Sequence, residues 1–275
     1  GFQEVEQMNL FKDMVCYQEE VRDASRMAEV LNRVIEKAIR GSAPAQINVP
    51  RDLWTQVIDI EIPDIIRMER QAGGEKAISQ AAELLSQSKF PVILAGAGVI
   101  LADAIDICKS LAEKLDAPVA NGYQHNDSFP GSHPLAVGPL GYNGSKAAME
   151  IISKADVVLA LGTRLNPFST LPGYGIDYWP KEASIIQVDI NPDRIGLAKN
   201  ISVGICGDAK LVAKQILNQL SSSAGNQGRE DRKAFIHQTK SAWLQKLSSL
   251  DHEEDDKGTV WNKEARERDK DRMSP

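Results

Sequence analysis

Cysteine is scarce in this sequence. Cys16, Cys108 and Cys206 lie scattered through 275 residues, with no CxxC pair and no even framework. A disulfide scaffold and a thiolate zinc site are excluded, and the three thiols read as reduced and semi-buried, as in a cytosolic protein. Aromatic residues are few, at 5%. No apolar run approaches the roughly 20 residues that a membrane span needs. The longest, residues 90–101, is short and broken by glycine. A basic excess is missing too: the formal net charge is -6, so the broad electrostatic footprint of a nucleic-acid binder is absent. The first twenty residues carry acidic side chains and no apolar signal-peptide core. The expectation is a cytoplasmic protein with neither nucleic-acid nor membrane partners.

What is present is ordinary globular material, 42% hydrophobic and 25% charged. That suffices for one large domain, or one domain plus pieces. The sequence opens Gly1-Phe2-Gln3-Glu4 and closes Met273-Ser274-Pro275 within a polar stretch, which reads as an internal fragment of a longer protein. Met27, Val30, Leu31, Val34, Ile35 and Ala38 make one helical face over residues 23–40, with Asp23 as cap and Gly41 as stop. A short strand over 45–49 follows. One helix and one strand cannot bury a core alone, so residues 1–57 read as the end of a sheet domain whose other strands lie earlier. Residues 58–73, with Pro63 and Gly73-Gly74 at the far end, read as a linker.

From residue 74 the pattern alternates. Helices are predicted at 75–89, 103–115, 146–153 and 208–220, and strands at 91–95, 117–120, 157–161 and 184–190. Near-continuous apolar strands separated by helices specify a parallel sheet covered on both faces. With right-handed crossovers this is a doubly wound, Rossmann-like α/β domain spanning 74–222. Residues 221–226, rich in Ser, Gly and Asn, read as a flexible linker. A helix is predicted around Trp243 at 235–247, and 251–275, dense in both charge signs, reads as loop or disorder.

Four residues of this domain could line a ligand cleft. Gly96 and Gly98 follow the first strand, where backbone N–H groups can cradle a phosphate. The dinucleotide fingerprint is nevertheless broken, since Leu101 holds the third glycine position and Asn121-Gly122 end the next strand. A tight turn needing small residues explains the pair as well. Asp189 ends a strand at the edge where α/β sheets bind ligands, and it serves a ribose hydroxyl or caps the turn before Pro192. Arg164, just past a strand, meets an anion or pairs with an acid. Two long loops follow strands, one with His125 and His133, the other over residues 165–175. They read as loop structure rather than as a metal site, and no protein metal ligand set is legible.

These segments in order resemble the thiamine diphosphate-dependent superfamily of acetolactate synthase and pyruvate oxidase. Phe2-Gln3-Glu4 is similar to a motif near the end of that family's pyrimidine-binding domain, and residues 45–52 to its closing strand. Residues 91–98, 156–164 and 187–192 resemble successive parts of its central domain. Residues 123–127, 138–146, 164–180 and the tail from Ser241 are similar to a branch that cleaves sulfonates and transfers acetyl groups. The resemblance implies thiamine diphosphate and Mg2+ as cofactors, and sulfoacetaldehyde and phosphate as small-molecule substrates. It implies acetyl phosphate and sulfite as products, and a homo-oligomer when full-length.

It also implies that Gln3 and Phe2 line the cofactor pocket. The activating glutamate is expected before Gly1 and the diphosphate-binding Gly-Asp-Gly after Pro275, so no catalytic or metal residue is expected here and the fragment alone should be inactive. Residues 223–275 would be a linker and the start of the diphosphate-binding domain. Cys16, where acetolactate synthases commonly have lysine, argues with the broken glycine pattern against FAD and leaves a vestigial nucleotide cleft at Gly96, Gly98, Arg164 and Asp189. Two other readings stay open: an acetolactate synthase-like carboligase, and a non-enzymatic nucleotide-binding module.

Overall fold

A computed structural model of the chain describes residues 4–62 and 69–250. Phe2, Gln3 and the tail after residue 250 lie outside the described residues. The chain divides into two compact units, Gly1–Glu69 and Arg70–Pro275.

In the first unit, α1 (Gln7–Phe11) leads to β1 (Tyr17–Glu20), α2 (Met27–Gly41) and β2 (Ala45–Asn48). The sequence left β2 without a partner. It pairs in parallel with β1, Tyr17 opposite Ala45 and Glu20 opposite Asn48. The strand Tyr-Gln-Glu-Glu is missed because it carries no apolar alternation. Asp23 caps the turn into α2 as its position suggested, accepting the Ser25 N–H. Val30 and Val34 turn inward onto Val21, with Tyr17, Ile47 and Leu53 packed around them. Gly41 does not stop the helix: it is the last helical residue, and Ser42 takes the left-handed position at φ 46°. A Cβ at Gly41 would lie 3.2 Å from Cys16 Sγ, so this glycine is there for close packing.

The second unit runs α3 (Glu75–Gln87), β3 (Pro91–Ala95), α4 (Ala97–Leu101), α5 (Ile105–Leu115), β4 (Val119–Asn121), β5 (Ala136–Pro139), α6 (Lys146–Ile152), β6 (Val157–Leu161), β7 (Ser184–Asp189), β8 (Val203–Cys206), α7 (Ala209–Gln219) and α8 (Arg229–Leu250). Six parallel strands lie in the order β5-β4-β3-β6-β7-β8. That is the doubly wound arrangement, with the chain switching direction between β3 and β6. β5 and β8 escape the sequence pattern because they are short edge strands. The helix expected at 103–115 is α5, beginning at Ile105, and the short α4 before it was not expected; Asp103, at φ 52°, lies between the two.

Side chains alternate across the sheet. Ile93 and Ala95 of β3 join Leu85 of α3, Leu111 of α5 and Val212 of α7 in one core layer. Val92 and Leu94 join Met149 of α6 and Ile236 of α8 in the other. The thiols are not uniformly semi-buried: Cys108 is buried in the first layer, whereas Cys16 and Cys206 are exposed. Burial pushes the Cys108 thiol up to about 12.

Residues 221–226 do not form a free spacer. Gly225, at φ 82°, packs against Leu115, and α8 begins six residues before the helix expected at 235–247 and lies on α6. The reason is Arg232, 1% exposed. Its guanidinium donates to the carbonyls of Leu115, Asp116, Lys89, Gly225 and Gln227. Those five groups would otherwise face each other across an interior corner.

Candidate functional site

Open α/β sheets bind ligands beyond the carboxyl ends of their strands, where the winding reverses. Here that point lies between Ala95-Gly96-Ala97-Gly98 after β3 and Leu161-Gly162-Thr163-Arg164 after β6. The two turns interlock. Gly96 N–H donates to Leu161 O at 3.1 Å and Gly98 N–H to Gly162 O at 2.9 Å. A Cβ on Gly96 would sit 2.6 Å from Gly162 O, and one on Gly98 2.6 Å from Gly162 Cα. Gly162 holds φ 61° to make this approach. The Gly96 and Gly98 N–H groups are therefore spent on protein backbone rather than left to a pyrophosphate.

Asp189 is 6% exposed at the end of β7. Its Oδ1 accepts the Asn191 N–H at 2.9 Å, an Asx turn that leads into the Pro192–Arg194 turn. Arg164 differs. It is exposed, and among the described residues it has neither a carboxylate nor a hydrogen-bond partner. The four candidates therefore share one sheet edge, but the structure does not bring them together as one cradle.

Three loops meet along this edge with features that sequence reasoning missed. Tyr123, Tyr142 and Phe168 form a ring triangle with centroids 5.9–6.3 Å apart. Tyr142 is 53% exposed and Phe168 56%. The same loops hold Gln124, Asn143, Leu165 and Tyr174 at positive φ. Only the paired glycines around Tyr142 and the length of the 165–175 loop hinted at this. Tyr174 donates to Gly144 O at 3.0 Å and rests its ring on Trp243 of α8. Tyr178 is buried, and burial pushes its hydroxyl up to about 12 against an opposing backbone contact with Gly141. His125 is half-buried. His133 accepts the Leu135 N–H on Nδ1 and meets Glu113 through Nε2 at 3.3 Å. Both ring nitrogens of His133 are thus engaged within the protein.

A hard divalent ion needs several preplaced oxygen ligands. Among the described residues no group of three His, Cys, Asp or Glu side chains could hold a metal. With the Gly96 and Gly98 N–H groups also spent, the described residues do not fit a metal-bound diphosphate. No described helix is long and apolar enough to cross a membrane.

Strand order and a switch-point turn define a doubly wound, Rossmann-type α/β unit. More narrowly, the thiamine pyrophosphate enzyme central domain matches residues 78–216, and the chain belongs to that family. Among curated relatives, a "Probable sulfoacetaldehyde acetyltransferase" of Rhizobium meliloti (strain 1021) is 74% identical over 275 residues, all of this chain and 46% of the relative. A "Sulfoacetaldehyde acetyltransferase" of Roseovarius nubinhibens is 73% identical with the same coverage. An "Acetolactate synthase large subunit" of Corynebacterium glutamicum is 28% identical over 228 residues, 81% of this chain and 36% of that protein. The chain spans about half the length of the curated relatives it matches most strongly.

Proposed function

We propose that this chain is part of a thiamine diphosphate-dependent acetyltransferase that converts sulfoacetaldehyde and phosphate to acetyl phosphate and sulfite. The observation that carries the reading is 73% identity across the entire chain to a relative of that name. Acetolactate synthase relatives are far more distant, at 28–32%. In the whole enzyme thiamine diphosphate, held through Mg2+, would supply carbanion-stabilising chemistry, and the protein would supply position. The whole protein works as a cytoplasmic homo-oligomer.

Within it, residues 1–57 close the pyrimidine-binding domain, with Phe2 and Gln3 lining the cofactor pocket. Residues 58–73 form a linker, and 74–222 the central domain, which α8 extends. Residues after 250 lead toward the diphosphate-binding domain. The central unit serves chiefly as a scaffold and takes no FAD, a reading supported by the bonding of the Gly96 and Gly98 N–H groups to backbone.

The test is product analysis with the full-length enzyme, thiamine diphosphate and Mg2+. Sulfite and acetyl phosphate should appear in equal amounts, dependent on inorganic phosphate. Turnover of 2-oxo acids to carboligation products, with sulfoacetaldehyde untouched, would refute the reading in favour of a carboligase.

A further inference from the structure

We infer that Arg164 is an oxyanion-binding residue of the whole enzyme, taking the phosphate that accepts the acetyl group or the sulfonate of the aldehyde. The inference rests on the function proposed above for its choice of anion. It rests on geometry for its choice of residue.

Of the four cleft candidates, Gly96 and Gly98 bond their N–H groups to backbone, and Asp189 commits Oδ1 to its own Asx turn. The Arg164 side chain has no such commitment among the described residues. Arg26, Arg33, Arg40 and Arg70 each hold a carboxylate, and Arg232 holds five carbonyls. Arg51 and Arg194 also lack side-chain partners among the described residues, but Arg51 lies in the first unit and Arg194 in the turn after β7, so of the three only Arg164 stands at the switch point.

The backbone beneath Arg164 is fixed while its side chain is free. Gly162 is locked against Gly98. The Thr163 carbonyl accepts from Gln187 Nε2 at 3.3 Å, and Thr163 Oγ1 accepts the Leu165 N–H at 3.3 Å. Leu165 is 1% exposed and held at φ 54°, an unfavourable conformation for a residue with a bulky side chain. Strain of this kind persists only where surrounding contacts over-determine it, and it clusters at binding positions. A structural arginine shows the opposite pattern, with its side chain tied down.

Arg164 also stands at the winding reversal, where ligands of such sheets bind. Its loop carries the exposed ring of Phe168, packed on Tyr142 and Tyr123. The planar fork of arginine matches two oxygens of phosphate or sulfonate, which lysine cannot reproduce.

The experiment compares full-length wild type with R164Q and R164K by steady-state kinetics and thermal melting. It is run beside thermal shifts of the 275-residue chain with inorganic phosphate, ethanesulfonate and ADP. R164Q should melt with the wild type and raise one KM at least tenfold, with R164K between. A rise for phosphate or for sulfoacetaldehyde identifies the source of the oxyanion. The matching small anion should stabilise the chain in an Arg164-dependent way. A lowered melting temperature with unchanged KM values, unchanged behaviour throughout, or Arg164-dependent stabilisation by ADP alone would overturn the inference. If the wild type fails to release sulfite, the proposed function falls separately. The anion shifts of the chain then decide whether Arg164 binds oxyanions at all.

Discussion

Arg232 in α8 donates through Nε to the main-chain carbonyl of Asp116, at 3.0 Å, where α5 ends in a left-handed turn. The carboxylate of the same Asp116 pairs with Arg229, one turn earlier in α8. One residue at a helix end thus anchors a second helix through both its backbone and its side chain.

Replacing Arg232 by Met keeps much of the volume but orphans several buried carbonyls. Each such group costs about 1–3 kcal/mol where water cannot reach it. We expect R232M to lose about 3 kcal/mol in urea unfolding, and limited proteolysis to release α8. An unchanged urea midpoint would show that α8 docks by its apolar contacts alone.

The turn between β3 and α4 gives a second test. Gly98→Ala places a methyl 2.6 Å from Gly162 Cα, against backbone that cannot rotate away. Overpacking of this kind costs about 1–3 kcal/mol. Gly131→Ala, with nothing within 4 Å of the added carbon, should change stability little. Equal behaviour of the two variants in denaturant titrations would contradict the interlocked turns.

Much of the central unit is legible in the sequence because its four inner strands are buried on both faces and therefore read as apolar runs. β1, β5 and β8 were hidden for the opposite reason, being short edge strands with mixed residues. α8 was under-read because its docking rests on Arg232, a charged residue that sequence reasoning places on the surface. At the sheet edge the positions of Gly96, Gly98, Arg164 and Asp189 were readable, but their states were not. Whether an N–H is free depends on a partner turn more than sixty residues away. The triangle of Tyr123, Tyr142 and Phe168 brings together three separate loops, and no local pattern announces it.

In the first unit, Glu29 accepts bonds from both Arg26 and Arg33, which lower its carboxyl to about 2. Arg33 also clasps Glu19, whose carboxyl is lowered in turn. A depressed carboxylate favours the folded state above its ordinary value of 4.5, and that contribution disappears as pH falls toward 2. Arg26 and Glu29 are exposed and Arg33 and Glu19 only half-buried, so the effect should be small and salt-sensitive. NMR titration should show Glu29 half-protonated well below pH 4 in low salt, moving upward in 1 M salt. A midpoint near 4.5 in low salt would mean that these pairs do not persist in solution.

The central claim is that the described residues form a scaffold rather than the body that holds the cofactor. Isothermal titration of the 275-residue chain with thiamine diphosphate and magnesium tests it most directly. No metal-ligating cluster exists among the described residues, and the Gly96 and Gly98 N–H groups are bonded to protein. The account therefore predicts no saturable heat at micromolar cofactor, while the full-length enzyme binds. Micromolar, magnesium-dependent binding by the chain alone would contradict it.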